Sequence, residues 1–79
     1  MERQVFLNDV GNIKNFVNDV SRLNANVNVS HDNYNVDGKS LLGILSLDLS
    51  NTVKVSIDTT NTDIICEFNN ICDKYASEV

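Results

Sequence analysis

Asn26-Val27-Asn28-Val29-Ser30-His31-Asp32-Asn33-Tyr34-Asn35-Val36 is the stretch on which the fold turns. Val27 and Val29 alternate with Asn26, Asn28 and Ser30, the period of two that sends one set of side chains to a core and the other to water. The polar run His31-Asp32-Asn33 reads as a turn, and Tyr34 to Val36 returns as a second strand. Strands joined this tightly are antiparallel, because a parallel pair needs a crossover of about a dozen residues or more.

Working outward, Val10, Ile13, Phe16, Val17, Val20 and Leu23 recur at spacings of three and four. They predict an amphipathic helix over 10–23, with Lys14, Asn15, Asn18, Asp19 and Arg22 in water. Asp9 or Asn8 would cap it by accepting hydrogen bonds from its free amides. Before it, Val5-Phe6-Leu7 predicts a short first strand. On the other side, Asp37-Gly38 ends the hairpin, and Ser40 to Leu47 reads as a short apolar helix with Ser40 as its N-cap. Val53, Val55 and Ile57 alternate with Lys54, Ser56 and Asp58 in a fourth strand. Thr60 is the expected cap of a last helix whose Ile64, Ile65, Phe68, Ile71, Cys72 and Tyr75 share one face. The order is β-α-β-β-α-β-α. Right-handed crossovers would set the first and fourth strands side by side. The expected fold is α+β, an open-faced sandwich: a four-stranded antiparallel sheet covered on one face by three helices, as a single domain over 1–79.

Composition limits the chemistry. Eleven acids against 6 bases give a net charge of −5 in 79 residues, the wrong sign for nucleic acid or an anionic membrane, and one that favours basic protein partners. The 13 asparagines suit turns and caps better than helix interiors. No apolar run approaches the roughly 18 residues of a membrane span, and MERQVFLND holds no signal-peptide core, so the expected location is cytoplasmic. Cys66 and Cys72 lie six positions apart on one helix, about 120° around its axis. They cannot bridge; Cys72 is expected in the core and Cys66 nearer solvent. With one histidine besides, no metal set forms, and Gly11, Gly38 and Gly43 make no phosphate loop. No cofactor is expected. Asp32, Asp37, Asp48 and Asp58 read as turn and strand-end residues rather than a paired-carboxylate site.

The segment Val36-Asp-Gly-Lys-Ser-Leu-Leu-Gly-Ile-Leu-Ser-Leu-Asp-Leu-Ser50, with the strand and helix that follow it, resembles HPr, the histidine-containing phosphocarrier of the bacterial sugar phosphotransferase system. The likeness rests on Lys39-Ser40 opening a short helix, Gly43 three residues on, and Ser46-Leu47 before the next strand. It runs without gaps from about residue 13 to 75, and the element order is that of HPr. What the resemblance implies at the first helix is absent from the sequence. HPr carries Gly-Ile/Leu-His-Ala-Arg-Pro-Ala there, its histidine accepting a phosphoryl group on a helix N-terminus. This chain reads Leu7-Asn8-Asp9-Val10-Gly11-Asn12-Ile13, shorter and with no histidine, arginine or proline.

The expectation is therefore a non-enzymatic HPr-like domain that has lost the phosphocarrier histidine and works in regulation or protein binding. The resemblance implies Ser40 as a regulatory phosphorylation site, matching the serine that a dedicated kinase modifies in many Gram-positive HPr proteins; Ser40 as a plain N-cap is the other reading, and both can hold. Lys39, Leu41, Leu42 and Leu45 are the candidate partner-binding residues. Ile44 and Leu47 are expected to face the sheet, leaving Leu42 and Leu45 nearer the surface, and the alternative is that the leucines complete a thin core. Expected partners are proteins, with phosphotransferase-system components or a serine kinase first, and a homodimer is open. Two rivals remain: a working phosphocarrier with an atypical acceptor (Asp9, His31 or Ser40), and a self-associating scaffold unrelated to sugar transport. His31, placed in a turn with no cation beside it, reads as a solvated turn residue.

Overall fold

The computed structural model describes residues 1–7, 9–47 and 52–76. Its elements are β1 (Glu2–Val5), α1 (Val10–Val20), β2 (Asn26–His31), β3 (Tyr34–Asp37), α2 (Leu41–Leu45), β4 (Val53–Asp58) and α3 (Thr62–Tyr75). The strands form one sheet in the order β1-β4-β2-β3, every neighbouring pair antiparallel. The expected α+β sandwich is thus the observed one, with the first and fourth strands adjacent.

Alternation decides the two faces of the sheet. Val5, Val27, Val29, Val53, Val55 and Ile57 are buried beneath the helices, where they meet Ile13, Phe16 and Val20 of α1, Ile44 of α2, and Phe68, Ile71 and Cys72 of α3. The intervening Glu2, Gln4, Asn26, Asn28, Lys54 and Asp58 are exposed on the open face. Apolar area removed from water stabilises this arrangement by about 25 cal/mol per Å². Phe16 and Tyr75 add an edge-to-face contact, with ring centroids 5.7 Å apart, joining α1 to α3.

Several boundaries differ from the sequence expectation. The first strand is Glu2–Val5, not 5–7: Arg3 lies on the helix face and donates to Asn69 Oδ1 (2.8 Å) and Asp73 Oδ1 (2.6 Å), a fixture for a polar residue that local pattern does not reveal. Phe6 has already left the sheet's main ladder, its amide donating to Tyr75 O at 2.8 Å. Helix α1 stops at Val20 instead of 23. Arg22 and Leu23 donate to Asp19 and Val20, three residues back, so the chain tightens out of α-helix although Leu23 remains buried. The cap of α3 is Asn61, not Thr60; Asn61 Oδ1 accepts from the amides of Asp63 (2.9 Å) and Ile64 (3.3 Å). Asn8, the alternative cap of α1, and Asp48 lie outside the described residues.

Candidate functional site

The Lys39–Leu45 segment is held from both ends. Gly38 is buried and donates to Val27 O at 2.7 Å, drawing the chain tightly over β2. Asp37 then organises the entry to α2: its carbonyl accepts from Ser40 N (3.0 Å) and its carboxylate from Lys39 N (2.9 Å). Ser40 is the N-cap, with extended backbone and Oγ accepting from Gly43 N at 3.1 Å. Gly43 lies where a Cβ would come within 3.3 Å of Val36 and 3.2 Å of Ser40 Oγ, so a glycine lets the helix approach β3 closely. Ser46 closes the helix by donating its hydroxyl to Gly43 O.

The four candidate binding residues occupy different environments. Leu42 is 81% exposed and Leu45 42% exposed, while Ile44 is fully buried and Leu47 buried, the division expected from the sequence. Leu41 is partly buried against the core, so it belongs as much to the core as to a surface. Lys39 does not extend into solvent: its Nζ donates to Leu23 O (2.8 Å) just beyond α1. The outer face of α2 therefore presents two leucines and no charge of its own.

The start of α1 is built differently. Asp9 is the exposed N-cap, extended in backbone, its Oδ1 accepting from Gly11 N at 3.0 Å. A carboxylate already occupies the positive end of the helix dipole, where an incoming phosphoryl group would meet repulsion. His31 corrects the turn expectation. It is the last residue of β2, paired with Tyr34, and the hairpin loop is Asp32-Asn33 alone, Asp32 adopting the left-handed φ of 53°. His31 continues the core-side alternation of Val27 and Val29. Its side chain is only 17% exposed, with Nε2 3.6 Å from Asp32 Oδ2, so it is not a solvated turn residue. Since β1 and β2 both run antiparallel to β4, they run parallel to each other. His31 thus lies at the end of the sheet where β1 passes into α1, yet two strand spacings, roughly 10 Å, from β1.

Some polar contacts had no signal in the sequence. Asp19 Oδ2 accepts from Lys74 Nζ (3.4 Å) and Tyr75 Oη (3.3 Å), tying α1 to the end of α3. Burial, then the Asp19 charge, pushes the Tyr75 phenol above its ordinary value. The hydrogen bond to Asp73 raises the Arg3 guanidinium in the same sense. Cys66 is exposed and Cys72 buried as expected, and burial pushes the Cys72 thiol up to about 11, an inert core group. Among the described residues no cluster of His, Cys, Asp and Glu could hold a metal ion, and no helix is long and apolar enough to cross a membrane.

An antiparallel sheet in the order β1-β4-β2-β3 under three helices, with a serine-capped apolar helix after the hairpin, is the architecture of the open-faced phosphocarrier sandwiches. Residues 12–73 match the family model PTS-HPr, described as the PTS HPr component phosphorylation site. The chain belongs to that family. The crystal structure of HPr-C-His from Thermoanaerobacter tengcongensis superposes with a TM-score of 0.75 at 26% identity, covering 100% of this chain and 99% of that one. The phosphocarrier protein HPr from Bacillus anthracis str. Ames superposes with a TM-score of 0.76 at 20% identity over 95% of this chain and 93% of that one, a likeness of fold. No curated protein matches the sequence.

Proposed function

We propose that this chain is a member of the HPr family that has lost the phosphocarrier histidine and serves as a non-enzymatic regulatory or protein-binding domain of a bacterial phosphotransferase network, on the cytoplasmic side. The observation that carries this reading is the start of α1: Asp9 caps the helix with its own carboxylate, and the segment Asp9-Val10-Gly11-Asn12 offers neither histidine nor arginine. A phosphoryl group arriving there would find the Gly11 amide taken and a like charge beside it. The binding surface in this reading is the outer face of α2, Leu42 and Leu45 with Leu41 beneath, and Lys39-Ser40 at its entrance. Ser40 is the regulatory phosphorylation site, modified by a separate serine kinase. Partners are phosphotransferase-system proteins with basic or neutral surfaces facing this acidic domain.

The test is incubation of the purified chain with phosphoenolpyruvate and the general phosphotransferase. The expected result is no phosphate on the protein. Acid-labile phosphate on His31 would overturn the reading in favour of an atypical carrier. That rival draws on one observation, the place of His31 at the α1-start end of the sheet, and is opposed by the carboxylate of Asp32 beside the ring. Dimerisation together with failure to retain any phosphotransferase component in a pull-down would favour the self-associating scaffold.

A further inference from the structure

Lys39 is the cation next to Ser40 in the chain, and its ammonium group is already committed. Nζ donates 2.8 Å to Leu23 O, a carbonyl left free where α1 tightens and ends, so one side chain braces the entrance of α2 against the exit of α1. The backbone of Lys39 is fixed independently, its amide on Asp37 Oδ1 at 2.9 Å. The side chain can therefore move without unravelling the turn. We infer that Lys39 is a charge-operated latch between α1 and α2, which opens when Ser40 carries a phosphate. The inference rests on the reading of Ser40 as a modification site and adds what the modification does inside the molecule.

The chemistry is a competition for one ammonium group. In the modifying step the Ser40 Oγ–P bond forms, the terminal phosphoanhydride bond of a nucleoside triphosphate breaks, the hydroxyl proton passes to the kinase's base, and the nucleoside diphosphate leaves. The product places about −1.5 to −2 charges one residue from Lys39. A neutral carbonyl holds an ammonium group by a single hydrogen bond, whereas a phosphate offers a full opposite charge and three acceptor oxygens. Lys39 has a flexible four-carbon stem with which to exchange one for the other. Asp37 opposes the change by repelling the phosphate, but its carboxylate is turned to the Lys39 amide and remains exposed to screening water. On release Leu23 O loses its partner, and the 21–25 segment is left with the three backbone bonds from Ser21, Arg22 and Leu23. The event at α2 is thereby transmitted to the end of α1 facing away from the Asp9 cap.

The experiment installs phosphoserine at position 40 of the full chain during synthesis, so no kinase is needed, and follows amide hydrogen exchange residue by residue. The expected result is exchange about tenfold faster at Leu23 and its neighbours with core amides such as Val29 and Val55 unchanged, the scale for losing a charged hydrogen bond. Lys39→Met without phosphate should give the same rise, and phosphoserine in the Lys39→Met chain should add nothing. A phosphorylated chain exchanging at the unmodified rate around Leu23 overturns the latch. If Lys39→Met fails to fold, the Lys39 ammonium resonance of the phosphorylated chain decides. It should shift with the phosphate's second ionisation near pH 6 and stay fixed if Leu23 O keeps the group. Intact mass of the native protein tests separately whether Ser40 is modified in cells, so the two readings fail independently.

Discussion

Replacing Gly38 by alanine sets two opposing effects against each other, and the geometry says which prevails. Gly38 has no positive φ, so alanine fits its backbone and would stabilise the fold by about 0.4–1 kcal/mol through the less flexible unfolded chain. Against this, a Cβ at position 38 would stand 2.6 Å from Val27 Cγ1, 3.0 Å from Val27 O and 3.1 Å from Val27 Cβ. Val27 is β-branched, fully packed, and a member of a central strand, so it has no free rotamer to retreat into. Overpacking of this kind costs about 1–3 kcal/mol, and displacing the chain weakens the 2.7 Å bond from Gly38 N to Val27 O, worth about 1 kcal/mol. The expected net loss is about 2 kcal/mol. In urea unfolding, with a slope of about 1 kcal/mol/M for a small domain, the midpoint should fall by roughly 1–2 M. Val27→Ala removes the Cγ1 in the way, so Gly38→Ala made in that background should cost at least 1 kcal/mol less than alone, beyond the roughly 0.5 kcal/mol scatter of independent sites. A Gly38→Ala chain as stable as the parent, or strictly additive costs in the double variant, would refute the argument that steric approach keeps a glycine here.

Leu42→Asp should change stability by less than about 1 kcal/mol, since the side chain is 81% exposed, while abolishing a complex made through α2. Ile44→Asp, two residues on and on the opposite, fully buried face of the helix, should prevent folding; circular dichroism and a pull-down separate the two outcomes. Asp9→Ala should cost about 1 kcal/mol in thermal or urea unfolding by removing the N-cap, without making the chain a phosphate acceptor. The raised Cys72 thiol predicts alkaline sensitivity: its folded value lies above the unfolded one, so its contribution is complete below about pH 9 and is lost as pH rises through about 11. The loss approaches about 3 kcal/mol, and Cys72→Ala should flatten that part of the stability–pH curve while lowering the curve as a whole by its cavity.

The parts of the fold legible in the sequence are those decided by neighbours in the chain. Val27 and Val29 against Asn26 and Asn28 declared a half-buried strand, and Ser40 before an apolar run declared an N-cap, because alternation and capping act within a few residues. Glu2–Val5 was not legible. Arg3 reaches Asn69 and Asp73, 66 and 70 positions away, and nothing local marks a polar residue as belonging to a strand held from so far off. His31 ends a strand where the pattern suggests a turn for a related reason: a polar tripeptide does not say whether two or three of its members make the loop, and only Asp32 takes the left-handed conformation that closes a two-residue hairpin. At the candidate site, the split between Ile44 inside and Leu42 outside followed from helical spacing. The engagement of Lys39 by Leu23 O did not, since it depends on where α1 ends, three residues earlier than its apolar periodicity suggests.

The order β1-β4-β2-β3 has a consequence for how the molecule comes into being. β4 separates β1 from β2, and its three-residue-wide apolar row Val53, Val55 and Ile57 supplies the centre of the sheet. Until that strand is present, β1 has no neighbour to pair with, and the β2–β3 hairpin is a two-stranded piece too small to stand alone in water. A growing chain therefore cannot settle its first strand until it has extended past Asp58. Any fragment stopping short of Val53 should be unfolded, whatever helix it contains.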